Sequence, residues 1–207
     1  MPETTLTQLY LPGIASNLEE GRYKNLIYGA RSRGEEYSKI WDLFAFRESF
    51  TVHLASFSEG VLRSPASISN ALRELIAAFT SYQNECRFCT QAHAAAAADL
   101  FGSETLVWMA LTDLEASPLG AREKALLRFT SKITNNLPAV TVEDVEEVRA
   151  AGWDDEAIYY AITTCALFNF YNRWITATGV PEMSREAHRL QGQNIARRGY
   201  IRREEKK

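Results

Sequence analysis

Residues 84–93 read NECRFCTQAH and bring two cysteines and one histidine into a single short segment. The surrounding chain has no proline between Pro65 and Pro118 and no glycine between Gly60 and Gly102. Glycine and proline are the residues that most disfavour a helix interior, so their absence favours long helices here. The stretch around residues 84–93 therefore predicts a helical core that carries these three side chains.

On a helix over residues 85–101, the two cysteines and the histidine share one face. Cys86 and Cys89 are three residues apart, and Cys89 and His93 are four apart, spacings at which helical side chains are neighbours. Glu74 lies on the preceding predicted helix, and the chain must fold back to bring it close. The sequence therefore predicts a cluster of two thiols, an imidazole and a carboxylate.

These residue types are suited to peroxide chemistry. A thiolate, rather than a thiol, attacks a peroxide, and a nearby imidazole can take the thiol proton. A carboxylate can orient that imidazole and stabilise its cation. A second cysteine one turn away can condense with the sulfenic acid to form a disulfide, which thiol–disulfide exchange then resets. The site therefore needs no cofactor beyond a redox-active Cys86–Cys89 disulfide.

Outside this segment, the spacing of the apolar residues and the positions of glycine and proline also indicate helices. A helix beginning near Ala66 carries the glutamate, with Ser67 or Ser69 as its N-cap. No convincing strand is found, so we expect an all-α fold, with two faintly similar helical halves at 66–101 and 141–178. Further helices are expected at 35–46, 48–63, 104–115, 121–134, from Thr141 to Gly152, and from Asp154 or Asp155 to Gly179.

The chain is expected to divide into three regions. Residues 1–34 are interpreted as an irregular N-terminal arm, because glycines and Pro12 interrupt them too often for a long helix. Residues 35–181 form the helical domain. Residues 182–207 are highly charged, which predicts a solvated helix or frayed end or, alternatively, an arm that docks on another subunit.

The composition disfavours several classes of partner. The 207-residue chain has 23 Lys and Arg against 26 Asp and Glu, so no basic excess points to nucleic acid. No apolar run approaches the length of a membrane span, and the N-terminus lacks the pattern of a secretory signal. Three cysteines do not make a secreted disulfide scaffold. We therefore expect a cytoplasmic protein with no nucleic-acid or membrane partner.

The spacing Glu74-x11-Cys86-x2-Cys89-x3-His93 carries a resemblance to a known family. It is similar to the active-site signature of alkylhydroperoxidase D-like (AhpD-like) proteins of the carboxymuconolactone decarboxylase family. A lone Cys-x-x-Cys motif would be a weak signal, whereas the four residues together are a specific one.

The flanking residues agree with this resemblance. The run NECRFC at 84–89 is similar to the family's Asn-x-Cys-x-aromatic-Cys run, and Arg73-Glu74 resembles its Arg-Glu pair. Residues 168–173, FNFYNR, resemble a segment of the peroxidase-related branch. The resemblance covers roughly residues 36–180.

The resemblance implies an AhpD-like helical fold, a homo-oligomer (trimer or hexamer), and reduction of hydroperoxides by a thiol or dithiol reductant, such as a lipoyl- or thioredoxin-like protein. Glu74 and His93 would form the proton relay. Cys89, nearer His93, would be the peroxidatic sulfur, and Cys86, expected to be more exposed, the resolving one. The helix dipole favours the opposite order, because it lowers the pKa of a cysteine at the helix start.

One position departs from the pattern of some members of the family. Phe88 stands where those members carry a second histidine between the cysteines. A relay that depended on that histidine would be altered here. The decarboxylases of the family lack the cysteine pair, so decarboxylation is not expected.

Two alternative functions stay open. Two cysteines, a histidine and a glutamate are a plausible zinc-binding set, although their spacing along one helix is not usual for structural zinc. An oligomeric protein with a sensory or vestigial thiol site would fold and form the disulfide, but with negligible turnover.

Several polar residues outside the cluster are given structural interpretations. Asn169, Asn172 and Arg173 lie along an apolar helix, and we expect a structural network or subunit contact rather than the lining of a pocket. Cys165 is expected to be a small apolar residue of the core. His53 and His188 are expected to be either hydrogen-bonded or exposed, without a role in the chemistry.

Overall fold

The computed structural model describes residues 8–201, and all regular structure within them is helical. The predicted all-α class is therefore confirmed. The α-helices are α1 Pro12–Ser16, α2 Arg22–Ser32, α3 Ile40–Phe46, α4 Glu48–Arg63, α5 Asn70–Gln83, α6 Arg87–Phe101, α7 Glu104–Thr112, α8 Ala121–Asn135, α9 Val142–Ala150, α10 Asp155–Thr178 and α11 Arg185–Arg198.

Several helix ends lie where the sequence places them. Ser69, Ser103 and Asp154 each accept, through a side-chain oxygen, the backbone N–H three residues later, which caps α5, α7 and α10. Gly102 and Gly179 adopt the left-handed conformation that ends α6 and α10. Short polar residues and glycines therefore fix the lengths of the helices that surround the cysteines.

Helix α5 lies at the centre of the molecule. Its residues 72–81 are all buried, and it packs against α6, α8 and α10. A helix that is buried on every side needs neighbours all round it, and the apolar faces of those three helices supply them. Glu74 is therefore held in the interior, on the most enclosed helix of the fold.

The two predicted halves correspond to the helix pairs α5–α6 and α9–α10. The first pair has 14 and 15 residues, whereas the second has 9 and 24 residues. A structural relation between the halves stays a prediction.

The predicted irregular arm at 1–34 is wrong over α2, an eleven-residue helix. Gly29 lies inside this helix, where glycine costs about 1 kcal/mol relative to alanine. Burial of Ile27 and Ala30 against the rest of the protein offsets that cost. Residues 1–7 lie outside the described part of the chain, and residues 35–39, expected to be helical, precede α3.

The charged C-terminal region forms α11, which packs along α6 of the same chain. The predicted solvated helix therefore holds for its outer face, which carries the exposed Arg185, Arg189 and Arg197, whereas its inner face, with His188 and Gly192, is buried. Docking on another subunit stays a prediction, and residues 202–207 lie outside the described residues.

Across residues 8–201, no helix combines the length and the apolar character that crossing a bilayer requires.

Candidate active site

The four residues of the predicted cluster come together as two adjacent pairs. Glu74 on α5 holds Oε2 2.8 Å from Nδ1 of His93 on α6. The sulfurs of Cys86 and Cys89, at the first turn of α6, lie 2.9 Å apart. Folding of α6 back along α5 is what brings the glutamate to the histidine.

The connection between α5 and α6 places Cys86 at the start of its helix. Glu85 has a φ of 54°, a left-handed conformation that costs a residue with a side chain about 1 kcal/mol. The reversal lets the Cys86 N–H bond to the Ser81 carbonyl at 3.0 Å, and Cys86 becomes the N-cap of α6. The sulfur therefore lies near the free N–H groups of the first turn, which favour a negative charge.

The two thiols have opposite proton affinities. A hydrogen bond from the Cys89 thiol lowers the pKa of Cys86 to about 6, against the effect of burial, with help from the Cys89 backbone N–H, Thr176 and Asn172. Burial, followed by the adjacent Cys86 sulfur, raises the pKa of Cys89 well above its ordinary value. The first proton lost by the pair therefore leaves its charge on Cys86.

The expected difference in exposure between the two cysteines is not found. Cys86 is 3% exposed and Cys89 2% exposed. They differ instead in their position relative to a cavity of about 570 Å³. Cys89 and His93 line this cavity, whereas Cys86 does not.

The cavity has a mainly apolar and aromatic wall. Helices α2 and α3 form one side, α10 and α11 others, and α6 the floor that holds the cysteine and histidine. Its apolar lining includes Tyr23, Leu26, Ile40, Trp41, Phe44 and Phe168.

Two residues that the sequence did not indicate hold the second oxygen of Glu74. Arg63, at the end of α4, forms an ion pair with Oε1 at 2.5 Å, and the hydroxyl of Tyr200 donates to the same atom at 2.8 Å. Burial alone would raise the pKa of Glu74, but the hydrogen bond and charge of His93, with Arg63 and Tyr200, lower it below its ordinary value. Glu74 is therefore a buried carboxylate. Tyr200 is 107 residues from His93 in sequence, and no local pattern connects them.

Asn172 on α10 belongs to the site rather than to a purely structural network. Its amide donates to Ser81 Oγ at 2.9 Å and its oxygen accepts from Asn84 at 3.0 Å. Its side chain also lies near the sulfurs of Cys86 and Cys89, where it lowers the pKa of both thiols. The structural interpretation of Asn172 is therefore incomplete.

The other polar candidates have structural positions. Arg173 donates to Asn169 at 2.7 Å, one turn back along the same helix. Cys165 is fully buried in the core, as expected. His188 is buried and accepts the Met183 N–H at 3.2 Å, and His53 is exposed.

The side chains are not arranged as a metal site. Within residues 8–201, no group of three or more His, Cys, Asp or Glu side chains is placed to hold a metal ion. The carboxylate that a zinc site would need is already shared among Arg63, His93 and Tyr200. The arrangement therefore does not favour the zinc alternative.

Comparisons with known proteins give one family match and several structures of the same fold. The profile of the carboxymuconolactone decarboxylase family matches residues 50–132. An uncharacterised peroxidase-related protein from Silicibacter sp. TM1040 is 26% identical, with a TM-score of 0.74 over 91% of this chain and 95% of that one. The alkylhydroperoxidase AhpD core of a peroxidase-related protein from Ralstonia eutropha JMP134 is 19% identical, with a TM-score of 0.71 over 82% and 88% of the two chains. No protein with curated annotation shows significant sequence similarity to this chain.

Proposed function

We propose that this chain is an AhpD-like protein of the carboxymuconolactone decarboxylase family and a thiol peroxidase that reduces hydroperoxides with Cys86 and Cys89. One observation carries the proposal. Two sulfurs 2.9 Å apart adjoin an imidazole held by a buried carboxylate, and Cys89 and His93 line the same cavity.

The first step is ionisation of the thiol pair. One thiol proton passes to the imidazole of His93, whose Nδ1 is oriented by Glu74, and one negative charge is left on the two sulfurs. That charge rests on Cys86 in the resting state, and transfer of the remaining proton across 2.9 Å moves it to Cys89. Cys89 is then a thiolate that faces the cavity.

The second step is attack on the peroxide. The Cys89 thiolate attacks the terminal oxygen of the hydroperoxide, the O–O bond breaks, and Cys89 becomes a sulfenic acid. The alkoxide that leaves takes the proton from the His93 imidazolium and departs as the alcohol. The proton that His93 removed in the first step is therefore returned to the product.

The third step forms the disulfide. The Cys86 thiol attacks the sulfur of the Cys89 sulfenic acid, its proton joins the leaving hydroxide, and water is released. Two thiols and one hydroperoxide have then become a disulfide, an alcohol and water. A dithiol reductant, by thiol–disulfide exchange, restores the pair. A lipoyl- or thioredoxin-like reductant, a homo-oligomer and a cytoplasmic location stay predictions.

The proposal is tested by mixing reduced protein with cumene hydroperoxide or H₂O₂ in a stopped-flow instrument and counting thiols. We expect the wild type to lose two thiols together. Cys86→Ser should stop at a sulfenic acid on Cys89 that dimedone traps, and Cys89→Ser should not react. Cys165→Ser is the matched control and should behave as the wild type, because that thiol lies in the core.

Two results would change the proposal. A sulfenic acid trapped on Cys86 in Cys89→Ser would reverse the roles of the sulfurs. Wild-type thiols that do not react with either peroxide would remove the peroxidase function.

Burial of both cysteines favours a second candidate, a sensory thiol pair of the same fold. A sensor would form the disulfide once and slowly, whereas a peroxidase turns over repeatedly. Peroxide consumption by catalytic amounts of protein with excess dithiothreitol separates them.

A further inference from the structure

The residue that follows α11 reaches the proton relay. The hydroxyl of Tyr200 donates to Glu74 Oε1 at 2.8 Å and lies 3.3 Å from His93 Nδ1. Its ring is nearly parallel to the His93 ring, with an interplanar angle of 16° and centroids 6.3 Å apart. No other element contributes a tyrosine hydroxyl to Glu74 among the described residues.

The backbone around Tyr200 is held at two further points. Oε2 of Glu59 accepts the N–H of Tyr200 at 2.6 Å and the N–H of Ile201 at 3.2 Å. Arg63, which pairs with Glu74, also donates to the Ile195 carbonyl in the last turn of α11 at 2.9 Å. The end of α11 is therefore tied to α4 independently of the tyrosine hydroxyl.

Gly199 makes this approach possible. Its φ of +71° is strained for any residue with a side chain, and an added Cβ would lie 2.5 Å from Glu59 Oε2. The chain therefore turns at the end of α11 and brings Tyr200 inward. The backbone conformation at Gly199 therefore fixes the position of Tyr200.

We propose that Tyr200 is a positioning residue of the relay, which together with Arg63 occupies Glu74 Oε1 and so reserves Oε2 for His93 Nδ1. This inference rests on the proposed function. With Nδ1–H donating to Oε2, the imidazole is held in one tautomer and its Nε2 is left free to accept a thiol proton. Tyr200 acts through Glu74 and His93 and need not touch the peroxide.

Loss of the hydroxyl should change how tightly His93 keeps its proton. A carboxylate that loses a donor becomes a stronger acceptor and stabilises the imidazolium more. His93 then stays protonated to a higher pH, so the acid limb of the rate profile moves upward. The charged and titratable groups around His93 are Glu74 on α5, Arg63 and Glu59 on α4, Cys89 on α6, and His188 on α11.

The experiment compares Tyr200→Phe with the wild type in the pH dependence of thiol oxidation by cumene hydroperoxide. We expect the acid limb to move up by about one pH unit, with about a tenfold loss of rate below it, the size expected from one hydrogen bond to a charged group. The imidazole resonances of His93, followed by NMR over the same pH range without peroxide, should show the same shift.

The matched control is Tyr160→Phe, which removes a tyrosine hydroxyl from α10 outside the relay and should leave both titrations unchanged. Tyr200→Ala keeps neither ring nor hydroxyl. If the hydroxyl is the group that positions Glu74, the His93 resonances of Tyr200→Ala should shift at least as far as those of Tyr200→Phe.

The outcomes separate this inference from the proposed function. An active wild type with an unshifted Tyr200→Phe in both readouts would overturn the role of Tyr200 and leave the peroxidase intact. A wild type that does not react with peroxide would remove the peroxidase, whereas the NMR shift would still decide whether Tyr200 positions the Glu74–His93 pair.

Discussion

Cys86 and Cys89 are one helical turn apart, yet their surroundings give them opposite proton affinities. Cys86 accepts hydrogen bonds from the Cys89 thiol and backbone, whereas Cys89 is enclosed by apolar groups and its neighbour's sulfur. Asn172 lowers the pKa of both thiols and so favours the thiolate on either sulfur. The first proton lost by the pair therefore leaves a negative charge on Cys86 rather than on Cys89.

For these two residues we predict that one thiol, that of Cys86, titrates at low pH. Because the pKa of Cys86 is lowered to about 6, the thiolate forms as the pH rises through that value. Alkylation by iodoacetamide and thiolate absorbance near 240 nm should therefore be half-maximal at about pH 6 and nearly complete at pH 7. Asn172→Ala should move this midpoint upward, since it removes one donor to the thiolate.

The controls for this titration are two other cysteine variants. Cys86→Ser should abolish the step, and Cys165→Ala should leave it unchanged, because burial raises the pKa of Cys165. A wild-type protein whose reduced thiols titrate only near pH 9 would contradict the assignment.

At the scale of elements, α11 depends on a close contact with α6. Gly192 lies on α11 where an added Cβ would be 2.5 Å from Ala95 Cβ and 2.7 Å from the Ala95 carbonyl carbon. The small side chains of the alanine-rich α6 and the missing side chain at Gly192 let the two backbones approach. This contact positions α11, whose C-terminal end lies beside Tyr200 and the Glu74–His93 pair.

We predict that Gly192→Ala destabilises the protein by about 1–3 kcal/mol, the usual cost of overpacking a close contact. Urea unfolding at pH 7 measures the change, and hydrogen exchange should show faster exchange confined mainly to α11. Peroxide reactivity should fall toward that of Tyr200→Phe, because the end of α11 moves with the helix.

The matched control is Gly60→Ala in α4, where an added Cβ meets no atom within 4 Å. Alanine in a helix interior should stabilise the protein by about 0.4–1 kcal/mol there. Equal effects of the two substitutions on unfolding would argue against the close contact at Gly192.

At the scale of the whole molecule, helices distant in sequence enclose one cavity. Helices α2 and α3 from the N-terminal region and α11 from the C-terminal region close over the cysteine and histidine of α6. The volume of about 570 Å³ far exceeds the needs of H₂O₂, and its wall is mainly apolar.

We therefore predict that an organic hydroperoxide reacts faster than H₂O₂, since an apolar body gains by leaving water in this cavity. Leu190→Trp, at a 47% exposed position of the lining, should lower the rate with cumene hydroperoxide about tenfold relative to H₂O₂. Second-order rate constants from stopped-flow measurements provide the ratio.

Leu137→Trp is the control, since Leu137 is 64% exposed and is not part of the cavity lining. It should leave the ratio of the two rate constants as in the wild type. A wild type that prefers H₂O₂ would show that the cavity does not bind the substrate.

The helical segments and the cysteine cluster were accessible from local patterns. The absence of glycine and proline around residues 84–93, and caps such as Ser69 and Gly102, act within one or two helical turns. The neighbouring positions of Cys86 and Cys89 follow from the same helical geometry. Helix α2 was missed, because tertiary burial offsets its glycine and no local signal reports that burial.

The sequence by itself determined the all-helical class, most helix bounds and the four residues of the candidate site, because propensity, capping and helical spacing are local. Only the tertiary structure decided that Arg63 and Tyr200 hold Glu74, that Asn172 reaches the sulfurs, and that Cys89 rather than Cys86 lines the cavity. Those contacts join segments far apart in the chain, and they exist only once burial has packed α4, α5, α6, α10 and α11 together.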